Sequence, residues 1–174
     1  HFAPEILLNK TRFGTGTPNF VSIRNNRLAT ADLQLVSDSQ KLVVATVAST
    51  ENGIPPIELS FDEFRLSTFS GLLERDTALV SGFLNGKVRL SNLANSVIAD
   101  GEVKIDSLKI KNHMMGVLNA RISTPTDGEY GIDANLVGNQ NDVVINAKYG
   151  KEIDATVLMN SLNLASAEAF TMGE

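Results

Sequence analysis

With 174 residues, 43% hydrophobic and 20% charged, the chain has enough apolar material for one sizeable core and the composition of a folded protein. Its 15 basic and 20 acidic residues give a formal charge of −5, which removes the electrostatic basis for gripping a phosphate backbone, so nucleic acid is not an expected partner. The absence of Cys excludes thiol nucleophiles, disulfides and thiolate metal sites and is neutral on redox compartment; Trp is also absent, and aromatic residues make up only 6%.

The N-terminal "HFAPEILLNK" lacks the basic start, apolar run and small-residue cleavage site of a signal peptide, and no stretch approaches the roughly 18 apolar residues of a membrane helix. "Asn9-Lys10-Thr11" matches a glycosylation sequon, a frequent chance match. "FGTGTP" at 13–18 has two glycines without GxGxxG spacing, and reads as a turn rather than a phosphate cradle. "FVSIRN", "LATADLQLVS" and "KLVVATVAS" read as strands joined by "NN" and "SDSQ", and "TENGIPPIE" as a loop with paired prolines.

From residue 57 onward the period is two. Ile57, Leu59 and Phe61 face away from Glu58 and Ser60. "STFSGLLERD" at 67–76 reads as a short helix with Ser67 as its cap. "VSGFLNGKVRL" at 80–90 alternates, with Gly82 and Gly86 falling on the same phase as Val80, Leu84, Val88 and Leu90. Two readings stand: Asn85-Gly86 forms a hairpin turn, or one strand runs through and the glycines mark a sharp bend with a hollowed face.

Val97, Ala99, Gly101, Val103 and Ile105 then alternate with Asp100, Glu102, Lys104 and Asp106, the pattern of a strand with one wet face. Gly116, Leu118, Ala120 and Ile122 follow, then Tyr130, Ile132, Ala134 and Leu136. After the polar turn "GNQND" come Val143, Ile145, Ala147 and Tyr149, and after "GKE" come Ile153, Ala155, Val157 and Met159. "SAEAF" at 166–170 looks like a second short helix.

A repeat connects the two helical spots. "FDEFRLSTFSGL" from Phe61 aligns with "MNSLNLASAEAF" from Met159, matching Phe64 to Leu162, Leu66 to Leu164, Ser70 loosely to Glu168 and Leu72 to Phe170, at a period of roughly 98 residues. The chain ends at "AEAFTMGE" as an apolar pattern resumes, which points to a piece of a longer protein.

No catalytic or metal-binding constellation emerges. His1 and His113 do not make a zinc site alone, Asp100 and Glu102 sit on a solvated face, Asp62-Glu63 reads the same way, and no GxSxG occurs. The methionine pair in "NHMMG" reads as core filling before it reads as an adaptable contact. The expectation is a protein without enzymatic activity and without cofactor or metal.

An antiparallel sheet with one apolar face needs a second layer, a lipid, or its own curled surface to cover that face. The inward positions lean to Val, Ile, Leu, Ala and Gly, which suits a narrow sandwich or a groove for something apolar and flexible. A transmembrane barrel is disfavoured, because two Tyr and no Trp cannot form aromatic girdles.

"ALVSGFLNGKVRLSNL", preceded by "FDEFRLSTFSGLLERD" and followed by "ADGEVKIDSLKI", resembles the TamB family of translocation and assembly module proteins in the wider AsmA-like group, in its Bacteroidota form, over roughly residues 57–174. The chain departs from the pattern in lacking a proline after the second glycine strand, where "NLANSV" stands. The resemblance implies a periplasmic protein anchored in the inner membrane, a taco-shaped sheet that carries phospholipid acyl chains, a part in outer-membrane biogenesis, and an outer-membrane barrel partner.

The resulting expectation is all-β: a single domain over 1–174, with N-terminal strands at 1–56 and a family-like unit at 57–174, built as a curled antiparallel sheet with one or two short helices. Its expected lipid groove is lined by Val80, Leu84, Val88 and Leu90, by Val103 and Ile105, by Leu118, Ile122, Ile132 and Leu136, and by Val143, Ile145 and Val157, with Gly82, Gly86 and Gly101 shaping it. The alternative is a scaffold for outer-membrane proteins that adds a client strand at a sheet edge.

Overall fold

A computed structural model describes residues 3–17, 19–24, 27–48, 54–70, 80–94, 96–126 and 128–167. In chain order the elements are β1 (Glu5–Leu8), β2 (Thr11–Thr15), β3 (Phe20–Arg24), β4 (Arg27–Ser37), β5 (Gln40–Thr46), β6 (Ile57–Arg65), α1 (Leu66–Ser70), β7 (Val80–Ser91), β8 (Ile98–Ile110), β9 (His113–Thr126), β10 (Glu129–Gly138), β11 (Asn141–Tyr149), β12 (Ile153–Ser161) and α2 (Leu164–Ala167). They form one 12-stranded antiparallel sheet in the order β1-β2-β4-β5-β6-β7-β8-β9-β10-β11-β12, with β3 beside β4, and its two ends do not pair with each other. Short polar turns join several of the paired strands. Asn9-Lys10, Lys111-Asn112 and Asn139-Gln140 each hold two consecutive residues at positive φ, the backbone a tight two-residue hairpin requires.

Three segments differ from the expected pattern or select one of its alternatives. "FGTGTP" is not wholly a turn: Phe13, Gly14 and Thr15 belong to β2, and Phe13 is fully buried, so a core aromatic outweighs the turn signal of the glycines. Helix α1 starts at Leu66, so Ser67 lies inside it and does not cap it, while residues 71–76 of that segment lie outside the described residues. β7 runs unbroken through Asn85 and Gly86, so the stretch is a single strand. Of the repeat alignment, Leu72, Glu168 and Phe170 lie outside the described residues.

Register aligns the apolar side chains into rows that cross the strands. A bulky row runs Phe64, Leu84, Ile105, Leu118, Leu136, Val143 and Met159. The next is smaller, running Phe61, Gly86, Val103, Ala120, Ala134, Ile145 and Val157. The third runs Leu59, Val88, Gly101, Ile122, Ile132, Ala147 and Ala155. Phe64, Leu84, Leu136 and Val143 of the bulky row are buried, and burial contributes about 25 cal/mol per Å² removed from water.

The core lies at the end of the sheet where the helices sit, in two clusters. Leu108, Met115, Leu136 and Val143 form one, with Leu66 and Leu162 packed against it. Phe13, Leu35, Phe64 and Leu84 form the other, again touching Leu66, so α1 bridges the two. Phe13 stacks on Phe64 with ring centroids 5.8 Å apart, and Phe61 meets Phe64 edge-on at 6.0 Å. β2 and β6 are separated by β4 and β5, about 14 Å in a flat sheet, so this contact requires the sheet to curl toward its apolar face. Asn9 Nδ2 donating to Ser67 O at 2.7 Å ties the β1–β2 turn onto α1 across the same curl.

The repeat is visible as a duplicated polar latch. Gln40, the first residue of β5, is fully buried and accepts at Oε1 from Arg65 N–H at 3.3 Å and Thr68 Oγ1 at 3.5 Å. Asn141, the first residue of β11, accepts from Asn163 N–H at 2.8 Å and donates to Ser166 Oγ at 2.9 Å and Met115 O at 2.7 Å. Arg65 corresponds to Asn163 and Thr68 to Ser166 at the same roughly 98-residue offset that aligns Phe64 with Leu162. Helices of this length have little stability of their own, and these hydrogen bonds hold them against the core.

Candidate functional site: the apolar face of the sheet

The residues expected to line a groove divide by row. Leu84, Leu136 and Val143 are buried by the protein's own side chains, with Ile105 and Leu118 half-buried beside them. Val103, Ile145 and Val157 lie in the small row, Val88, Ile122 and Ile132 in the third row, and Leu90 one step further out opposite Ile57 and Ala99. Val80 stands exposed at the start of β7, beyond a register shift at Gly82. Away from the helices the face is half-covered: Ile132 is 40% and Val157 49% exposed.

Side-chain size makes the small row a furrow. Gly86, Val103, Ala120 and Ala134 separate the bulky row from Val88, Ile122 and Ile132. From β7 to β10 the furrow crosses three inter-strand steps, about 14 Å at the usual strand spacing, and Ile145 and Val157 continue the row on β11 and β12 with larger side chains. Its walls and floor carry no ionisable group in these rows, so any occupant is held by apolar area alone.

The glycines have separate roles. Gly86 has φ +125°, and a Cβ there would meet Glu102 O at 2.2 Å and Val103 Cα at 2.8 Å. Gly101, diagonally across on β8, would place a Cβ 2.2 Å from Lys87 O. The backbones of β7 and β8 therefore approach too closely for side chains at either position. Gly82 has φ +144° at the β7 register shift and lies outside the three rows.

The opposite face carries the charges. Lys87, Glu102, Arg121 and Asp133 stand in register on β7 to β10, so unlike charges face each other from strand to strand. Lys104 pairs with Asp106 at 2.8 Å, Asn85 Nδ2 donates to Asp106 at 3.3 Å and Asn146 Nδ2 to Asp133 at 2.7 Å. A trough of about 650 Å³ runs between these polar side chains over the backbone of Gly86, Val103, Ala120 and Ala134. It lies back to back with the apolar furrow. Among the described residues no group of three His, Cys, Asp or Glu could hold a metal ion, and no helix is long and apolar enough to cross a membrane.

Alternation alone misses part of the core. Leu108 is three residues from Ile105, and Met115 three from Leu118, because register shifts follow Ser107 at φ 52° and Gly116 at φ +125°. Each shift returns an off-phase residue to the apolar face. Met115 is fully buried while Met114, next to it, is 39% exposed, so the methionine pair is split between core and surface. Comparisons with family models, with curated proteins and with solved structures each find no match to this chain.

Proposed function

We propose that the chain is a lipid-handling β-domain, holding phospholipid acyl chains on the apolar face of its sheet within a periplasmic, inner-membrane-anchored protein that passes phospholipid between membranes. The observation that carries this reading is the half-covered aliphatic furrow from Gly86 to Val157, bounded by Ile122 and Ile132. Its small-residue stretch over β7 to β10 spans about 14 Å, close to the roughly 15 Å of one leaflet's hydrocarbon. Each methylene moved from water into it contributes up to about 0.8 kcal/mol, so a chain is held without any polar contact. The resemblance to the TamB family supports the same occupant, and an outer-membrane barrel partner belongs to that reading.

The test is a fluorescent fatty acid titrated into the purified chain and displaced by phospholipid, with Ile132→Asp as the variant. Ile132 is 40% exposed, so an aspartate there spares the fold, whereas Leu84 is buried and an aspartate there would act on the core. We expect saturable binding that falls at least tenfold in Ile132→Asp while the thermal midpoint stays within a few degrees. Equal binding by the two proteins would overturn the reading.

A further inference from the structure

The polar trough has unused hydrogen-bonding capacity at its centre. It crosses β7 to β11 from Asn85 to Asn146, four inter-strand steps or about 19 Å. Some of its side chains have partners within the protein: Asn85 accepts from Glu63 N–H at 2.8 Å and donates to Asp106, Lys104 pairs with Asp106, and Asn146 donates to Asp133. On β8 to β10, however, the side chains of Glu102, Arg121, Asn119 and Asn135 make no hydrogen bond or ion pair with any described residue. Arg121 stands in register between Glu102 and Asp133, and Asn119 stands opposite Asn135. Lys87, which faces Glu102 from β7, is drawn to Glu58 at 3.2 Å.

This lining discriminates between classes of ligand. Its charged residues, Glu102, Lys104, Arg121 and Asp133, sum to zero. Arg121 has a carboxylate on each side and Lys104 is already paired, so an anion would meet repulsion beside each cation. Arg121 separates the two carboxylates, so a metal ion lacks a converging ligand set. An apolar ligand would strip water from the four polar side chains without replacing their hydrogen bonds. A peptide strand finds no open ladder, because every strand from β7 to β11 is paired on both sides. A carboxamide donates and accepts, a guanidinium donates and a carboxylate accepts, and a hydroxyl group complements all three. A sugar ring is about as wide as one inter-strand step of about 4.8 Å, so a short chain of rings fits the length of the trough.

We propose that the trough binds a neutral oligosaccharide, whose hydroxyl groups hydrogen-bond to Asn119, Asn135 and Arg121 and donate to Glu102. Among the described residues no aromatic side chain lines the trough, so ring stacking adds nothing and the dissociation constant falls in the range of about 1 mM. The trough and the apolar furrow are opposite faces of the sheet, so the proposal stands apart from the lipid reading.

The experiment uses the whole chain labelled with ¹⁵N, reading the side-chain amide signals of Asn119 and Asn135 and the Nε–H of Arg121. The probes are cellotriose, maltotriose and the trimer of N-acetylglucosamine, with sodium phosphate titrated separately. We expect at least one trisaccharide to move these signals saturably and phosphate to leave them in place. Asn119→Ala and Asn135→Ala should each weaken that binding at least fivefold, while Lys109→Ala, on β8 outside the trough, leaves it unchanged. All three residues are exposed, so an unchanged thermal midpoint checks that each variant is folded. No saturable shift with any trisaccharide up to about 20 mM would overturn the proposal. So would native-like binding by both asparagine variants, or saturation of the same signals by phosphate, which would assign the trough to anions.

Discussion

Gly86 and Gly128 both adopt positive φ, and they separate two uses of glycine. At Gly86 a Cβ would strike the backbone of β8 at 2.2 Å, while at Gly128, φ +77°, nothing lies within 4 Å. Gly86→Ala should therefore cost about 3 kcal/mol or more in urea unfolding, and Gly128→Ala only about 1 kcal/mol from its backbone conformation. Equal costs would mean that β7 and β8 are not creased together. The two latches differ in a related way. Each polar atom of the Asn141 side chain has a partner, but Gln40 Nε2 is buried without one among the described residues. A fully satisfied buried amide contributes more than one left half-paired, which desolvation penalises.

At the scale of elements, α1 and α2 span five and four residues, so their positions come from the latches and from Leu66 and Leu162. A double-mutant cycle on Asn141→Ala and Ser166→Ala should show a coupling energy of about 1 kcal/mol in chemical denaturation. Additive losses would show that the Asn141–Ser166 hydrogen bond does not hold the helix. Strands from Ile57 onward were legible from their period of two, and the two helices from Ser67 and "SAEAF", though α1 and α2 begin earlier, at Leu66 and Leu164. Less legible were the places where the period breaks. Ser107 and Gly116 shift the phase, so Leu108 and Met115 enter the core from positions that strict alternation assigns elsewhere. β1 and β2 were hidden for another reason, since the "NK" turn and the glycines around Phe13 carry loop chemistry while Phe13 itself supplies a core anchor.

For the whole molecule, the consequence of a single sheet is a face that its own side chains cover only in part. The curl that stacks Phe13 on Phe64 and the helices above Leu136 and Val143 fill one end. Beyond them Ile132 and Val157 are left half in water, and no second sheet among the described residues lies over them. Alternation identified which residues share this face, but it could not rank them. Rows across strands depend on register, which turns and bulges set, and only register shows that Gly86, Val103, Ala120 and Ala134 line up as a furrow. The charged rows on the opposite face keep that side wet and leave the aliphatic side as the half-covered one.

The most direct measurement of this account is photolabelling of the purified chain with a phospholipid that carries a diazirine in its acyl chain, followed by mass-spectrometric mapping of the adducts. The account predicts adducts concentrated on Ala120, Ile122, Ile132, Ala134 and Val157, competed away by unlabelled phospholipid and lost in Ile132→Asp. Adducts spread over the polar rows of Glu102, Arg121 and Asp133, or the same yield in the variant as in the native chain, would contradict it.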